Sequence, residues 1–250
     1  MTARTIWIGL PAYNEEATIP ALFPRFREVF PDKSAAYRIV LYNDGCTDRT
    51  VERTLGWQNE LNVEIIGKPV NKGLGEGLRC LVEHAATHGA DDDVLFIMDC
   101  DDTHHPSQFA DMLAVLDRGN DVVIASRYRK GARIAGLAPH RKLLSIGAAL
   151  LFKLMHWCPG VLDYTCGYRG YRISLLKRAR AHYGERLIEE RGFACMVELL
   201  LKLNHLGAKM AEVPLLLRYD LKQSASKMDV GGNTTRLLKK LLAWRVHGLE

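Results

Sequence analysis

Strand-like and helix-like segments alternate along the first half of this 250-residue chain. Five short segments rich in apolar and β-branched residues predict strands, at residues 5–10, 37–42, 63–66, 94–98 and 121–125. Helical patterns separate these strands, at residues 15–30, 47–59, 73–88 and 106–118. Repeated strand–helix units of this length imply an α/β fold with a mostly parallel central sheet. Helices would cover both faces, and ligands would bind at the carboxyl ends of the strands.

The pattern changes after residue 130. A loop rich in glycine, alanine and basic residues at 131–139 precedes a helix at 141–157 that is apolar around most of its circumference. A further helix is expected at 193–206 and a strand at 209–219. We expect one domain over residues 1–230, with 131–160 as an added segment, and a basic amphipathic tail over 231–250.

Composition and charge indicate a globular protein with an anionic partner. Apolar residues make up 48% of the chain and charged residues 25%, which excludes a disordered protein. The net charge of +5 is unevenly distributed, because basic residues cluster at 127–142 and again at 236–245. Such clusters suit a polyanionic ligand or an anionic membrane surface. No nucleic-acid-binding motif accompanies them, so nucleic acid is not an expected partner.

Cysteine spacing and hydropathy indicate a reducing compartment and no membrane span. The six cysteines include no C-x-x-C pair, so we expect free thiols and no structural metal site. The first residues run directly into a strand, which leaves no room for a signal peptide. The longest apolar stretch, 143–157, is interrupted by Lys153 and is shorter than the ~20 residues of a spanning helix. We therefore expect a cytoplasmic protein.

Three carboxylates directly follow the fourth predicted strand. Asp99 and Asp101 are two residues apart, so their side chains point to the same side of an extended backbone, and Asp102 comes next. Two carboxylates this close repel each other unless a cation, a proton or an arginine lies between them. At the carboxyl end of a parallel strand, a hard divalent cation that holds phosphate would account for the pattern. A solvated acidic loop is the alternative.

Polar residues also follow the first three strands, at the same predicted edge of the sheet. The segments are Pro11-Ala12-Tyr13-Asn14-Glu15-Glu16, Asn43-Asp44-Gly45-Cys46-Thr47-Asp48 and Asn71-Lys72-Gly73-Leu74-Gly75-Glu76-Gly77. Each alone is explained by a helix cap or a turn, and the glycines have neither Rossmann nor P-loop spacing. Their joint occurrence at successive strand ends predicts a nucleotide site.

Together these motifs resemble those of inverting family 2 glycosyltransferases, which have the GT-A fold. The resemblance spans residues 5–228 and narrows in the second half to the dolichol- and polyprenol-phosphate mannosyltransferase branch. The narrower match is carried by Ser126-Arg127-Tyr128, Arg141 with Ser145, Asp163-Tyr164-Thr165-Cys166-Gly167-Tyr168-Arg169, Glu212-Val213-Pro214, and Arg218 with Ser226-Lys227.

By this resemblance, the chain binds a nucleotide-sugar donor together with Mg²⁺ or Mn²⁺. Asp44 would hold the base or ribose. Asp99 and Asp101 occupy the D-x-D motif of the family, and Asp101 would be the main metal ligand, assisted by Thr103 and Asp99. The resemblance places the donor on Pro11, Tyr13 and Glu15, which would line the nucleoside pocket, and on Asp44, Asp99, Cys100, Asp101, Arg127, Arg218 and Lys227.

The acceptor implied by the resemblance is a polyprenyl or dolichyl phosphate. Arg127, Arg141 and Ser145 would hold its phosphate, and the catalytic set would be Asp101, Arg127, Arg141 and Arg218. An ionised phosphate is already a nucleophile, so no strong general base is required, and alignment for in-line attack would dominate catalysis. Segment 131–160 would face the acceptor and the membrane.

The chain departs from the family pattern at three positions. Asp102 stands where relatives commonly carry an apolar residue, His105 where they carry proline, and Cys46 where they carry serine. The first two differences bear on metal preference and on the shape of the loop after the fourth strand.

The function implied is the transfer of a hexose, mannose from GDP-mannose, to a polyprenyl phosphate. The enzyme would be bound peripherally to the cytoplasmic face of an anionic membrane. Two alternatives stay open: transfer from a UDP-sugar, such as glucosyl transfer to polyprenyl phosphate or to a saccharide, and a non-catalytic nucleotide-sugar-binding module. The tail at 234–246 alternates leucines with basic residues, and would either lie on an anionic leaflet or pack on the domain.

Overall fold

A seven-stranded sheet forms the centre of the molecule. The computed structural model describes residues 4–136, 147, 151–221 and 230–248. The strands of the large sheet lie in the order β3-β2-β1-β4-β7-β5-β8, and β6 pairs with β9 in a small second sheet. The strands are β1 (Ile6–Ala12), β2 (Tyr37–Asp44), β3 (Val63–Lys68), β4 (Val94–Ile97), β5 (Val122–Ser126), β6 (Arg133–Ala135), β7 (Arg169–Arg172), β8 (Met210–Pro214) and β9 (Leu216–Arg218).

The helices form a layer on each face of this sheet. They are α1 (Ile19–Val29), α2 (Thr50–Leu55), α3 (Leu74–His88), α4 (Phe109–Asp117), α5 (Ile173–Tyr183), α6 (Ala194–His205) and α7 (Val230–His247). Helices α3, α5 and α6 contact one another in one layer. In the other layer, Phe26 of α1 stacks on Phe109 of α4 at a ring distance of 6.4 Å. The predicted α/β fold with a mostly parallel sheet is confirmed.

The five predicted strands of the first half are all present, and their carboxyl ends meet at one edge because they are parallel in the sheet. All residues of β4 and β5 are buried, which explains their unbroken apolar sequences. The predicted strand at 209–219 is divided instead, because the chain leaves the large sheet at Leu215 and continues as β9 beside β6.

Strand β7 was not predicted, and it lies in the middle of the sheet, antiparallel to both β4 and β5. Its sequence, Arg-Gly-Tyr-Arg, does not resemble a buried strand. Arg169 is nevertheless fully buried, because its guanidinium donates to the carbonyl oxygens of Cys166, Met196 and Tyr164 at 2.8, 2.5 and 2.6 Å. These three bonds replace the water that the charge loses on burial.

Helix α7 packs on the domain through part of its surface. Leu241 is fully buried, and its carbonyl oxygen lies 3.0 Å from His156 Nε2. Lys240 forms an ion pair with Glu190. Of the predicted helix at 141–157, residues 151–155 are helical, and most of the remainder lies outside the described residues. Within the described part of the chain, no helix combines the length and the apolar character needed to cross a membrane.

Candidate active site

The loops after β1 and β2 are joined by hydrogen bonds. The Asn14 side chain accepts the backbone N–H of Thr47 at 2.8 Å, and the Glu15 N–H donates to Thr50 Oγ at 2.7 Å. The Sγ of Cys46 lies 3.3 Å from the backbone nitrogen of Asn14, which donates to it. Tyr13 is exposed in the same loop. The first two strand-end motifs therefore form one surface, as the predicted nucleoside pocket requires.

Asp44 connects the end of β2 to the start of α3. Its buried carboxylate accepts the backbone N–H groups of Lys72 and Gly73 at 2.7 and 2.9 Å. Both amides precede Leu74, the first residue of α3, so the carboxylate fixes the segment that leads into this helix. The structure thus gives Asp44 a bond to each of two backbone amides at the predicted nucleotide site.

The glycines before and within α3 allow another backbone to approach closely. A Cβ at Gly75 would overlap the carbonyl oxygen of Glu190, and a Cβ at Gly73 would lie 2.8 Å from that of Arg191. The Gly75 N–H donates to the Arg191 carbonyl at 2.8 Å. The glycine spacing therefore serves packing of segment 190–191 against the start of α3.

The D-x-D loop, residues 99–103, lies at the carboxyl end of β4. Asp101 Oδ1 accepts both the hydroxyl and the N–H of Thr103, at 2.6 and 3.2 Å. The Asp99 side chain is 36% exposed, and its Oδ1 faces Gly167. His104 Nδ1 accepts the N–H of Asp99 at 3.2 Å. Asp101 and Thr103, which the resemblance assigns to the metal, are therefore in direct contact.

Cys100, between the two carboxylates, points into the core. Burial, and then the charges of Glu15 and Asp101, raise the pKa of its thiol well above the ordinary value. The thiol is neutral at physiological pH, so Cys100 contributes packing beside the predicted donor site, and its side chain does not extend into solvent.

Asp102 is buried on the other side of the loop. Its Oδ2 accepts a hydrogen bond from Arg25 Nη2 of α1 at 2.8 Å, and its backbone has a φ of 62°. Burial raises the pKa of this carboxyl, and the charge of Arg25 opposes that effect. Asp102 Oδ1 is buried and has no hydrogen-bond partner among the described residues.

Strand β9 lies beside the D-x-D loop and brings Arg218 to it. The Arg218 N–H donates to the carbonyl oxygen of Thr103 at 3.0 Å, and Leu217 pairs with His104 in an antiparallel bridge. The Arg218 side chain is exposed and bonds Asp220 through Nε and Nη2, at 2.9 and 2.8 Å. The backbone of a predicted catalytic residue therefore lies beside the predicted metal ligand Thr103, while its guanidinium pairs with Asp220.

Arg127 follows β5 and is held by a buried carboxylate. Its Nε and Nη2 bond the two oxygens of Asp163 at 2.8 and 2.6 Å, and Nη2 also bonds Thr165. Although burial alone would lower it, the bonds and charge of Asp163 raise the pKa of Arg127. Burial alone would raise the pKa of Asp163, but the hydrogen bonds and charge of Arg127 outweigh burial and lower this pKa below its usual range. The planar guanidinium is thus fixed in one orientation.

The loop that contains Asp163 connects Arg127 to the carboxylate site. Buried Glu212 accepts the N–H groups of Leu162 and Asp163 at 2.6 and 2.7 Å and fixes the start of this loop. Gly167, further along it, lies close to Asp99, since a Cβ at this glycine would be 3.4 Å from Asp99 Oδ1. The predicted residues Arg141, Ser145 and Lys227 lie outside the described residues.

Comparison with known proteins identifies the family to which the chain belongs. The model of "Glycosyl transferase family 2" matches residues 7–180. The chain belongs to glycosyltransferase family 2. The predicted family and the predicted enzyme class, a glycosyltransferase, are confirmed.

Two relatives align with nearly the whole chain of this glycosyltransferase. The polyprenol monophosphomannose synthase of Mycolicibacterium smegmatis is 26% identical over 99% of the chain and 89% of its own length. The undecaprenyl-phosphate mannosyltransferase of Micrococcus luteus is 27% identical over 96% of each protein.

A solved structure with the same fold carries a different name. The glucosyl-3-phosphoglycerate synthase of Mycobacterium tuberculosis was crystallised in complex with Mn²⁺, UDP-glucose and phosphoglyceric acid. It superimposes with a TM-score of 0.67 at 22% identity, over 97% of this chain and 80% of that one. This likeness confirms the GT-A fold.

The family 2 site can be tested for its fit to a divalent cation. No cluster of three or more His, Cys, Asp or Glu side chains among the described residues is arranged to hold a metal alone. Mg²⁺ in nucleotide sites commonly takes one or two carboxylates, with the substrate phosphates and water completing the shell. Asp101 and the partly exposed Asp99, with the Thr103 hydroxyl, fit that role, because they offer hard oxygen ligands at the nucleotide edge.

Sequence reasoning missed the partners that hold the glycosyltransferase site in shape. Arg25 lies 77 positions before Asp102, and Asp163 lies 36 positions after Arg127. The resemblance included Asp163 and Glu212 as motif residues but assigned them no role. Nothing in the spacing of Arg25 indicated that it would contact the D-x-D loop.

Proposed function

We propose that this glycosyltransferase moves a hexose, mannose from GDP-mannose, onto a polyprenyl phosphate with inversion at the anomeric carbon. The proposal is carried by the D-x-D loop, where Asp101 and Thr103 are bonded to each other beside Asp99 and the backbone of Arg218. The names of the two relatives that align with nearly the whole chain support the acceptor and the sugar.

The residues of the chain would act mainly by alignment and charge. Asp44 keeps the loop before α3 in place under the nucleotide, while Asp101, Asp99 and Thr103 would hold Mg²⁺ or Mn²⁺. When bound, the cation supplies neutralisation of the charge that builds on the departing diphosphate. Arg218, on β9, adds positive charge at the same loop.

The acceptor phosphate would attack from the side of segment 131–160. Arg127, Arg141 and Ser145 would bind it, and the ion pair with Asp163 keeps the Arg127 guanidinium in one orientation. Since the phosphate is ionised, the chain needs to supply position rather than a base. Lys227 would complete the charge around the donor.

Contact with a membrane would bring the lipid acceptor within reach. Segment 151–157 and helix α7 are in contact through His156 and Leu241. Both expose large apolar side chains beside basic ones. Trp157 is 60% exposed under the ammonium of Lys153. Among the described residues of these two segments, the exposed large apolar side chains are those of Leu154, Trp157, Leu242 and Val246. We propose residues 1–230 as the catalytic domain and 231–250 as a membrane-contacting tail, on the cytoplasmic face.

The experiment offers radiolabelled GDP-mannose and UDP-glucose in parallel, with polyprenyl phosphate and Mg²⁺ or Mn²⁺. We expect label from GDP-mannose in the lipid extract. Label from UDP-glucose alone would support the second candidate, which the UDP-glucose complex of the structural neighbour favours. Label in the lipid extract from neither donor would contradict the acceptor assignment.

A further inference from the structure

Asp102 forms a turn inside the D-x-D loop that needs outside support. Its φ of 62° places it in the left-handed region, and Asn14 is the one other non-glycine residue there in the described part of the chain. Aspartate and asparagine adopt this conformation more readily than other side chains but less readily than glycine, so contacts with the surroundings stabilise it. Asp102 stands between Asp101 and Thr103, the pair that the proposed function assigns to the cation.

Contacts on two sides hold this turn. On one side, Arg25 Nη2 bonds Asp102 Oδ2 at 2.8 Å, and α1 positions Arg25 because the neighbouring Phe26 is fully buried in the core. On the other side, β9 holds the backbone through the bond from the Arg218 N–H to the Thr103 carbonyl. The Asp102 side chain is 2% exposed, so the ion pair with Arg25 is protected from solvent screening.

The turn determines how the loop presents its ligands. Both bonds from Thr103 to Asp101 Oδ1 span Asp102, at 2.6 and 3.2 Å, so a change at Asp102 rotates one of these side chains relative to the other. We propose that Asp102 and Arg25 are a positioning pair, which fixes Asp101 and Thr103 in the orientation that binds the nucleotide-associated cation. This inference rests on the proposed function for the role of the cation.

Three variants separate positioning from direct ligation by Asp102. Asp102→Asn keeps an oxygen for Arg25 and a side chain that tolerates positive φ. Asp102→Gly keeps the backbone conformation and removes the anchor. Arg25→Met removes the anchor from the other side and leaves Asp102 intact. The matched control is Arg27→Met, since Arg27 lies on the same helix and pairs with Glu60 at 2.7 Å, with both side chains exposed.

The measurement is Mn²⁺ affinity, from the electron paramagnetic resonance signal of free Mn²⁺ in the presence of GDP and, separately, UDP. We expect Asp102→Gly and Arg25→Met each to weaken Mn²⁺ binding about 10-fold, with Asp102→Asn within about 3-fold of the wild type. The double variant Asp102→Gly with Arg25→Met should be no weaker than either single variant, because the two act as one unit. Arg27→Met should bind Mn²⁺ normally, and thermal melting should show that all variants fold.

If Asp102 were itself a ligand of the cation, the Mn²⁺ affinities of the three variants would follow a different order. Asp102→Asn would then lose as much Mn²⁺ affinity as Asp102→Gly, and Arg25→Met would bind Mn²⁺ at least as tightly as the wild type, because a competing cation is gone. Either result, or a wild-type protein that binds no Mn²⁺ with either nucleotide, would overturn the positioning role. Hexose transfer by the wild type is measured in a separate assay. If that assay contradicts the proposed acceptor, the order of Mn²⁺ affinities among the variants still tests the positioning role.

Discussion

At the scale of single residues, the site depends on charges that are held by distant partners. Asp163 is fully buried and binds Arg127 through two side-chain bonds and one backbone bond, at 2.8, 2.6 and 3.0 Å. A bidentate pair of this kind orients a guanidinium more strictly than a single bond does. Removal of one partner leaves a charge with little solvent around it.

We therefore expect Asp163→Asn to destabilise the protein by about 3 kcal/mol, because it leaves the Arg127 charge without its counterion. The measurement is the free energy of unfolding from urea titration at neutral pH. The matched control is Asp220→Asn, which removes the exposed partner of Arg218 and should leave the midpoint unchanged. Equal midpoints for Asp163→Asn and the wild type would contradict a structural role for the pair.

The same pair predicts a pH dependence. The pKa of Asp163 is lower in the folded protein than in the unfolded chain, so its contribution is fully present above about 3.9, the ordinary value for aspartate. This contribution is lost as the pH falls through the lower, folded pKa. The difference in unfolding free energy between the wild type and Asp163→Asn should be constant between about pH 5 and 7 and shrink under acid conditions. A difference that grows as the pH falls would contradict the assignment.

At the scale of elements, the predicted nucleotide edge includes a close contact between α3 and the segment before α6. The Gly75 N–H bonds the carbonyl of Arg191, and no side chain fits between the two backbones. Buried Glu198 holds this segment, since its carboxylate accepts the N–H groups of Glu189 and Glu190 at 3.0 and 2.9 Å. The start of α3 therefore depends on residues more than 100 positions away in the sequence.

Gly75→Ala should separate these two segments. We expect a loss of about 2 kcal/mol in unfolding free energy, because the new methyl group overlaps the Glu190 carbonyl oxygen, together with weaker nucleotide binding. The control is Gly56→Ala at the end of α2, where φ is −57° and the nearest atom to an added Cβ lies at 3.4 Å. Unfolding free energy and GDP affinity are measured for both variants. A Gly75→Ala protein as stable as Gly56→Ala would show that the contact is not tight in solution.

Strand β7 marks the limit of what the sequence could predict. The five parallel strands could be predicted because each is an apolar segment and the first four are each followed by a helix. Strand β7 could not be, because Arg169 resembles a surface residue until the carbonyl oxygens of Cys166, Met196 and Tyr164 are brought around it by tertiary folding. The division between β8 and β9 has a similar cause, since the pairing with β6 is not encoded locally.

At the scale of the whole molecule, the candidate site also has features that the sequence could predict and features that it could not. The position of the D-x-D loop beside the loops that follow β1 and β2 could be predicted, since parallel strands bring their carboxyl ends together. The ion pairs of Asp102 with Arg25 and of Arg127 with Asp163 could not, because they join residues whose separation in the sequence has no periodic signal. The sequence therefore predicted the candidate site residues that follow strands, and the structure added the partners that hold them.

The proposed contact with a membrane also belongs to the scale of the whole molecule. We expect the protein to sediment with vesicles that contain anionic lipid and less with neutral vesicles, and we expect salt to reduce binding. Trp157→Ala should weaken vesicle binding several-fold, because about 1 to 2 kcal/mol of apolar burial is lost. Leu55→Ala, at an exposed leucine of α2, is the control. Equal sedimentation of Trp157→Ala and the wild type would show that this tryptophan does not meet the bilayer.

The transfer of radiolabelled mannose from GDP-mannose to polyprenyl phosphate by the wild type and by Asp101→Asn tests the central claim most directly. Asp101 is the main predicted metal ligand and accepts a hydrogen bond from Thr103 within the D-x-D loop, so loss of its charge should lower transfer by about 100-fold or more. The circular dichroism spectrum and melting temperature should match those of the wild type. Undiminished transfer by a folded Asp101→Asn protein would contradict the assignment of this loop as the catalytic centre.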